Sequence, residues 1–304
     1  MNRRKFIGSL AAALQLKAAQ LPANRNVKWA LSLALWNHFE KPPFTEILDI
    51  MKDTGFIGIR LTQYPTFLKT YDVTPAQIEK EISKRGLHVV TISFNGPAHD
   101  PAQQAKVLAS AKEAMTFLKG FGASHLVVFS PSRLKPGPEF EAGFKTMCDC
   151  FNRIGSLAGE MGFHAGLHNH LNQMVEKPEE VHRCMAMTDP KLFKFSPDTA
   201  HLHLGGSNVV EMFKKYKYRM MFMDYKDARP ARSAAKGKQS QGFLNSIYDL
   251  GDGEVDFPGC HRVLKEIGYK GWICVDLDTA RKGPRVSYER CGAYIVNKLE
   301  PIYA

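Results

Sequence analysis

Three kinds of feature are missing from this chain of 304 residues, and each absence removes a class of protein. The first is a long hydrophobic run. The apolar stretch from Ile7 to Leu16 is rich in alanine and too short for a bilayer, which takes roughly 20 residues. The second is a cysteine framework. Cys148, Cys150, Cys184, Cys260, Cys274 and Cys291 form no CxxC pair, and no lipid-attachment cysteine follows the N-terminal run. Cys148 and Cys150 lie two apart on an expected helix and so face different directions. Cys274 alternates within an apolar strand and reads as core. The third is a concentrated basic tract. The net charge is +11, yet no long basic run or basic–aromatic interleaving points to nucleic acid. Missing too is a GxGxxG after the first strand, which argues against a dinucleotide-binding fold.

What remains is globular: 44% of residues are hydrophobic, 11% aromatic and 23% charged. Residues 1–23 hold Arg3, Arg4, Lys5 and Lys17 and no acid. Twin arginines ahead of a short apolar run resemble a bacterial twin-arginine export signal, with cleavage near Ala19 or Ala23. That route carries folded proteins and makes the mature chain periplasmic or secreted.

From residue 28 onward, short apolar runs alternate with helical periodicity. Strands are expected at Trp29–Leu35, Ile57–Leu61, Leu87–Phe94, Leu126–Phe129, His164–Leu167, Phe193–Ser196, Met220–Met223 and Trp272–Val275. Helices are expected near Phe44–Thr54, Thr74–Arg85, Pro101–Lys119, Phe140–Met161, Pro178–Met187, Val209–Tyr216, Phe257–Ile267 and Val286–Leu299, with glycine stops after several of them. Eight strands alternating with eight helices imply right-handed βαβ units and a single α/β domain, residues 28–304, closed as a (β/α)8 TIM barrel. The insert 228–241, rich in Arg, Lys, Ala, Gly and Ser, reads as a solvated loop or a substrate lid. Trp36, Phe94 and Trp272 are either core or the lining of a sugar pocket.

The last four strands end in chemistry: His168 and His170, then Asp198 and His201, then Asp224 and Lys226, then Asp276 and Asp278. In a barrel these ends ring one mouth. Several anions with imidazoles there suit one divalent ion, Mn²⁺, Co²⁺, Zn²⁺, Fe²⁺ or Mg²⁺. Without a cation, carboxylates crowded in a partly buried site repel one another.

The motifs His168-Asn169-His170, Asp198-Thr199-Ala200-His201 with Gly205-Gly206, Tyr225-Lys226-Asp227, Gly251-Asp252-Gly253-Glu254-Val255-Asp256-Phe257 and Gly271-Trp272-Ile273-Cys274-Val275-Asp276 resemble the xylose isomerase-like TIM-barrel superfamily. This superfamily holds sugar isomerases, epimerases and inosose dehydratases. The resemblance implies a metal held by a Glu, an Asp, a His and a Glu from strands five to eight. Those positions fall on His168, Asp198, Asp224 and Asp276, so three of the four depart from the commonest pattern. It also implies that His201 contacts substrate, that His170 and Glu176 approach the site, and that Lys226 assists. Epimerases of the superfamily set two opposing glutamates about the substrate carbon, and here those places hold His168 and Asp276. A dehydratase or lyase scheme fits at least as well. Asp276, His170 or Glu176 would remove an α-proton from a metal-bound keto-sugar or cyclitol to give a metal-stabilised enediolate, and His201 or Lys226 would assist. Barrels of this kind are often homo-oligomers. Two rivals stand: a carbohydrate-binding barrel without activity, and a metal-dependent phosphodiesterase resembling the apurinic endonucleases. The latter draw histidines from strands three and four, where this chain has Asn95-Gly96 and Ser130-Pro131-Ser132.

Overall fold

A computed structural model describes residues 21–39, 41–230 and 243–304. The barrel strands are β1 (Lys28–Ser32), β2 (Gly58–Leu61), β3 (His88–Phe94), β4 (His125–Phe129), β5 (His164–His168), β6 (Phe193–Phe195), β7 (Met223–Tyr225) and β8 (Trp272–Val275). They form a parallel eight-stranded sheet in the order β6-β5-β4-β3-β2-β1-β8-β7. Parallel bridges Phe195–Met220 and Asp198–Asp224 join the two ends and close the barrel. The outer helices are α1 (Phe44–Asp53), α2 (Pro75–Arg85), α3 (Gln104–Lys119), α4 (Pro138–Met161), α5 (Pro178–Met187), α6 (Val209–Tyr216), α7 (Phe257–Glu266) and α8 (Pro284–Tyr294). The (β/α)8 expectation therefore holds.

Local chemistry explains the boundaries. Thr74 and Gln77 make a reciprocal capping box at the start of α2, Pro75 takes its first position, and Gly86 ends it in the left-handed conformation. The first strand is shorter than expected. The Ser32 hydroxyl accepts the Ala34 N–H at 3.1 Å and turns Leu33–Asn37 into a 3₁₀ segment. The seventh strand is displaced toward the C-terminus, so Asp224 lies inside it rather than after it. Its backbone is held there by Asp224 N–H donating to Pro197 O at 2.9 Å.

Strand alternation separates two environments. Residues facing the helices build the main core, with Trp29, Leu31, Ile59, Leu167 and Tyr225 fully buried. Residues facing the axis form layers. Ala30, Val90, Val127, Met221 and Cys274 fill an apolar lower layer with Trp272 and Phe129 against it. Above it stand Ser32, Arg60, His168 and Asp224, all buried. Gly58 leaves room for Trp272, since a Cβ there would lie 2.6 Å from the indole. Trp272 thus sits at the start of β8, opposite the mouth, and Trp36 packs on Tyr288 with ring centroids 5.8 Å apart. Both are packing residues rather than a sugar wall.

At that lower end His261 of α7 stacks on Trp29 at 5.9 Å and meets the Tyr225 hydroxyl at 3.2 Å. Burial pushes its imidazole down to about 4. The neutral form is the folded form, so its contribution is present above the ordinary value of about 6.5 and is lost as pH falls through 4. Denaturant melts should show this loss, and His261→Phe should flatten the pH dependence of stability between 6.5 and 4 by up to about 3 kcal/mol. An unchanged slope would place the acid sensitivity elsewhere.

Candidate active site

Four consecutive strand ends deliver the site, and backbone chemistry aims each side chain. His168 is the last residue of β5, beside Phe129 of β4, with ring centroids 4.0 Å apart. Asn169 ties β5 to β6: its amide accepts the Asp198 N–H at 3.1 Å and donates to Asp198 O at 3.3 Å. Asp198 then caps a short helix, Thr199–Leu204, by accepting the His201 N–H on Oδ1 at 3.0 Å. That cap leaves Oδ2 directed at the mouth and carries His201 round beside it. The Thr199 hydroxyl accepts Lys226 N–H at 2.9 Å and donates to Lys226 O at 2.8 Å, which fixes the chain after β7.

The charged side chains meet at the centre. Arg60 of β2 donates from Nη1 to Asp224 Oδ2 at 2.7 Å, pairs through Nη2 with Asp276 Oδ2 at 2.8 Å, and donates from Nη2 to Ser32 Oγ at 3.0 Å. Lys226 Nζ stands 3.2 Å from Asp198 Oδ2, 2.8 Å from Asp276 Oδ2 and 2.7 Å from Asp278 Oδ2. It is also 3.4 Å from His201 Nε2. His168 Nδ1 lies 3.1 Å from Asp224 Oδ2. The ring planes of His170 and His201 lie 3.7 Å apart by centroid, and Phe243 stacks on His201 at 5.1 Å.

Burial and neighbouring charge divide the acids. Burial raises Asp198 to about 6 and Asp224 to about 7, against the opposing pull of Lys226 on the first and Arg60 on the second. Burial acts on Asp276 as well, but Arg60 and Lys226 together outweigh it and hold its carboxyl well below the usual range. Burial lowers His168 to about 3 and His170 to about 4, and it holds His201 far below the ordinary imidazole value. All three imidazoles are therefore neutral, with lone pairs available to a ligand, and the same burial makes each a weak base. Lys226 stays charged despite burial because Asp198, Asp276 and Asp278 surround it.

Glu176 stands apart from this cluster. Its Oε2 accepts the Asn172 N–H at 3.0 Å and lies 3.6 Å from Arg133 Nη1, so it braces the loop after β5. The remaining expected residues, His168, His170, Asp198, His201, Asp224, Lys226 and Asp276, converge on the mouth. Three contributors are absent from the sequence reading. Arg60 had a signal, a lone charge in the apolar strand Gly58-Ile59-Arg60-Leu61. Phe129 and Phe243 had none, since an aromatic at a strand end or in a loop is ordinary.

The residues fit a divalent ion. One ligand atom each from His168, Asp198 and His201 lie within 4.8 Å of one another. Asp224 Oδ1 and Asp276 Oδ1 are buried without hydrogen-bond partners, an expensive state for polar atoms unless a cation serves them, whereas Asp198 Oδ2 has Lys226 Nζ at 3.2 Å and His168 Nδ1 has Asp224 Oδ2 at 3.1 Å. Among the described residues, four carboxylates face two side-chain cations, a formal excess of two negative charges that the raised carboxyls of Asp198 and Asp224 relieve in part by holding protons near neutral pH.

Residues 48–290 match the family model described as xylose isomerase-like TIM barrel, and the chain belongs to that family. An inosose dehydratase of Bacillus velezensis is 26% identical over 272 residues, spanning 84% of this chain and 90% of its own. Among solved structures, the IolI protein with a bound zinc atom superposes with a TM-score of 0.74 at 16% identity, covering 91% of this chain and 99% of that one. The 3-keto-D-glucoside 4-epimerase YcjR of E. coli gives a TM-score of 0.69 at 16% identity, covering 88% and 98%.

The loop beyond Lys226 depends on Asp227. Its buried carboxylate accepts N–H groups of Ala228, Gly251, Gly253 and Val255 at 2.8–3.1 Å. A Cβ on Gly253 would lie 2.2 Å from Asp227 Oδ1, so glycine is required for this approach. Asp227→Ala should orphan these donors, cost roughly 2–4 kcal/mol of stability and open the 243–256 segment to proteolysis. Wild-type stability and protease resistance in that variant would contradict the anchoring role.

Proposed function

We propose that this chain is a divalent-metal-dependent enzyme that removes a proton next to the carbonyl of a keto-sugar or keto-cyclitol, and that it eliminates water rather than inverting a centre. The observation carrying this reading is the clamp on Asp276. A two-base epimerase needs a competent base on each face of the substrate carbon. Asp276 Oδ2 is held by both Arg60 and Lys226 and is a poor base, so the base is drawn from the neutral imidazoles alone, His170 being itself weakened by burial. The inosose dehydratase relative agrees with an elimination.

His168, Asp198 and His201 would hold the ion, which when bound polarises a carbonyl oxygen. The chain's own residues do the rest. His170 Nδ1 lies 2.7 Å from Leu171 O, which as acceptor assigns the proton to Nδ1 and leaves Nε2 basic. His170 Nε2 takes the α-proton. The C–H electron pair becomes a carbon–carbon double bond, the β C–O bond breaks, and the departing hydroxide takes a proton from the imidazolium and leaves as water. The Lys226 ammonium stabilises the oxyanion that develops on the carbonyl oxygen. Phe129 and Phe243 flank the imidazoles with apolar faces suited to sugar C–H surfaces.

Incubating the metal-loaded protein with keto-cyclitols, keto-sugars and 3-keto-glycosides in D₂O tests this. The expected product is an unsaturated ketone, with His170→Ala lowering turnover about 10²- to 10⁴-fold. An epimer formed without loss of water would hand the site to the epimerase reading. Tight sugar binding with no exchange at all would make it a binding barrel.

We also propose that the mature protein is exported, on the strength of the twin arginines at residues 3 and 4, which lie outside the described residues. Pro22 is buried, and a Cβ on Gly55 would lie 2.8 Å from Leu21 Cβ, so cleavage near Ala19 keeps this packing whereas cleavage at Ala23 removes it. Cell fractionation with N-terminal sequencing should find a periplasmic chain beginning before Leu21, and Arg3→Lys/Arg4→Lys should retain it in the cytoplasm.

A further inference from the structure

Arg60 is an unusual resident of a ligand ring. It is 1% exposed, belongs to β2 rather than to the three strands that carry the acids, and reaches two of those acids. The guanidinium takes Oδ2 of Asp224 and Oδ2 of Asp276 in one fork, and Ser32 Oγ receives Nε at 3.3 Å and Nη2 at 3.0 Å. Every one of these contacts is buried, so the fork is fixed rather than a mobile surface pair. The other half of the mouth is different. His168, Asp198 and His201 offer close-set ligand atoms; the cation near them, Lys226, is 3.2 Å from Asp198 Oδ2 and 3.4 Å from His201 Nε2, and is held more closely by Asp276 and Asp278 at 2.8 and 2.7 Å.

We propose that Arg60 is a built-in cation that occupies the Asp224–Asp276 half of the ring and confines a divalent ion to a three-residue seat, His168, Asp198 and His201. The proposal rests on reading the strand-end ring as the active site. It makes Arg60 the residue that sets metal affinity: it neutralises two carboxylates that would otherwise join the ion, and its positive charge repels that ion across a buried space. Arg60 touches no reacting atom here, so its role is positioning.

Mn²⁺ alone, with no sugar, provides the test, by titration calorimetry and by the shift in melting temperature on the full chain. Arg60→Met should bind Mn²⁺ about tenfold or more tighter than wild type, or bind it where wild type does not, and gain more in melting temperature from it. Adding Asp224→Asn to Arg60→Met should remove part of the gain, and adding Asp276→Asn as well should remove most of it, because the two freed carboxylates are its main source. Arg60→Lys keeps the charge and should stay near wild type. Should Arg60→Met fold only with Mn²⁺ present, the ion has replaced the guanidinium, as expected. Failure to fold with or without Mn²⁺ counts against the proposal, as does a folded Arg60→Met that binds no better than wild type. Where wild type binds Mn²⁺, His201→Asn should weaken it more than tenfold and Asp224→Asn by less; the reverse order overturns the three-residue seat. Turnover is not read in any arm, so these outcomes stand or fall apart from the dehydratase reading.

Discussion

A single buried guanidinium governs the electrostatics of this barrel mouth. Removing an ion from water costs several kcal/mol even after the protein relaxes, so Arg60 is tolerable only because two carboxylates and a hydroxyl receive it together. A charge pair at about 4 Å is worth roughly 4 kcal/mol at an effective dielectric near 20, so two such contacts offset the penalty where one would not. The acids depend on Arg60 in the same way. Asp224 and Asp276 project from adjacent strands, β7 and the end of β8, and would repel each other strongly without a cation between them. The mouth is therefore a mutual arrangement in which no member is stable alone.

The layers beneath make this possible. Axis-facing positions on neighbouring strands lie level with one another: Ala30 beside Gly58 and Cys274, Ser32 beside Arg60, and Phe129 beside His168. Small residues low in the barrel admit the bulk of Trp272 and Met221. A Cβ on Gly166 would lie 3.0 Å from Met221 Cε. The plugged lower layer keeps water from reaching the ions from below, which strengthens each interaction above it. Sequence alternation thus becomes a dry floor under a charged ring.

Much of this was legible in the sequence, for reasons that differ by element. Helices such as α2 and α5 carry their own start and stop chemistry, so Pro75–Arg85 and Pro178–Met187 could be read residue by residue. The strand ends could be read because acids and imidazoles recur where apolar runs stop. The seventh strand could not, since Met220-Met221-Phe222-Met223 is apolar throughout and its register is set by pairing with Cys274 and Pro197 rather than by its own pattern. The helix that Asp198 caps was hidden because Thr199–Leu204 is too short for periodicity. Arg60 lies 138 positions before Asp198 in sequence and joins the ring only through barrel closure. A local reading sees a charged residue in a strand and no partner for it.

The ring is symmetric in composition and asymmetric in charge, and the asymmetry bears on mechanism. Asp276 lies between the two cations and is the most fully neutralised of the acids. The surplus negative charge falls instead on Asp198 and Asp224, whose carboxyls burial has already raised to about 6 and about 7. A divalent ion placed at Asp198 would relieve that surplus where it is greatest. Lys226 stands beside that position, 3.2 Å from Asp198 Oδ2 and 3.4 Å from His201 Nε2, and the His170 ring lies 3.7 Å from that of His201. A neutral imidazole and a fixed ammonium this close together suit the proposed removal of a proton, with the ammonium stabilising the electrons left behind. They leave no free carboxylate oxygen among those on the lysine to return the proton, since Asp276 Oδ2 is already bound to Arg60 and Lys226 and Asp278 Oδ2 to Lys226.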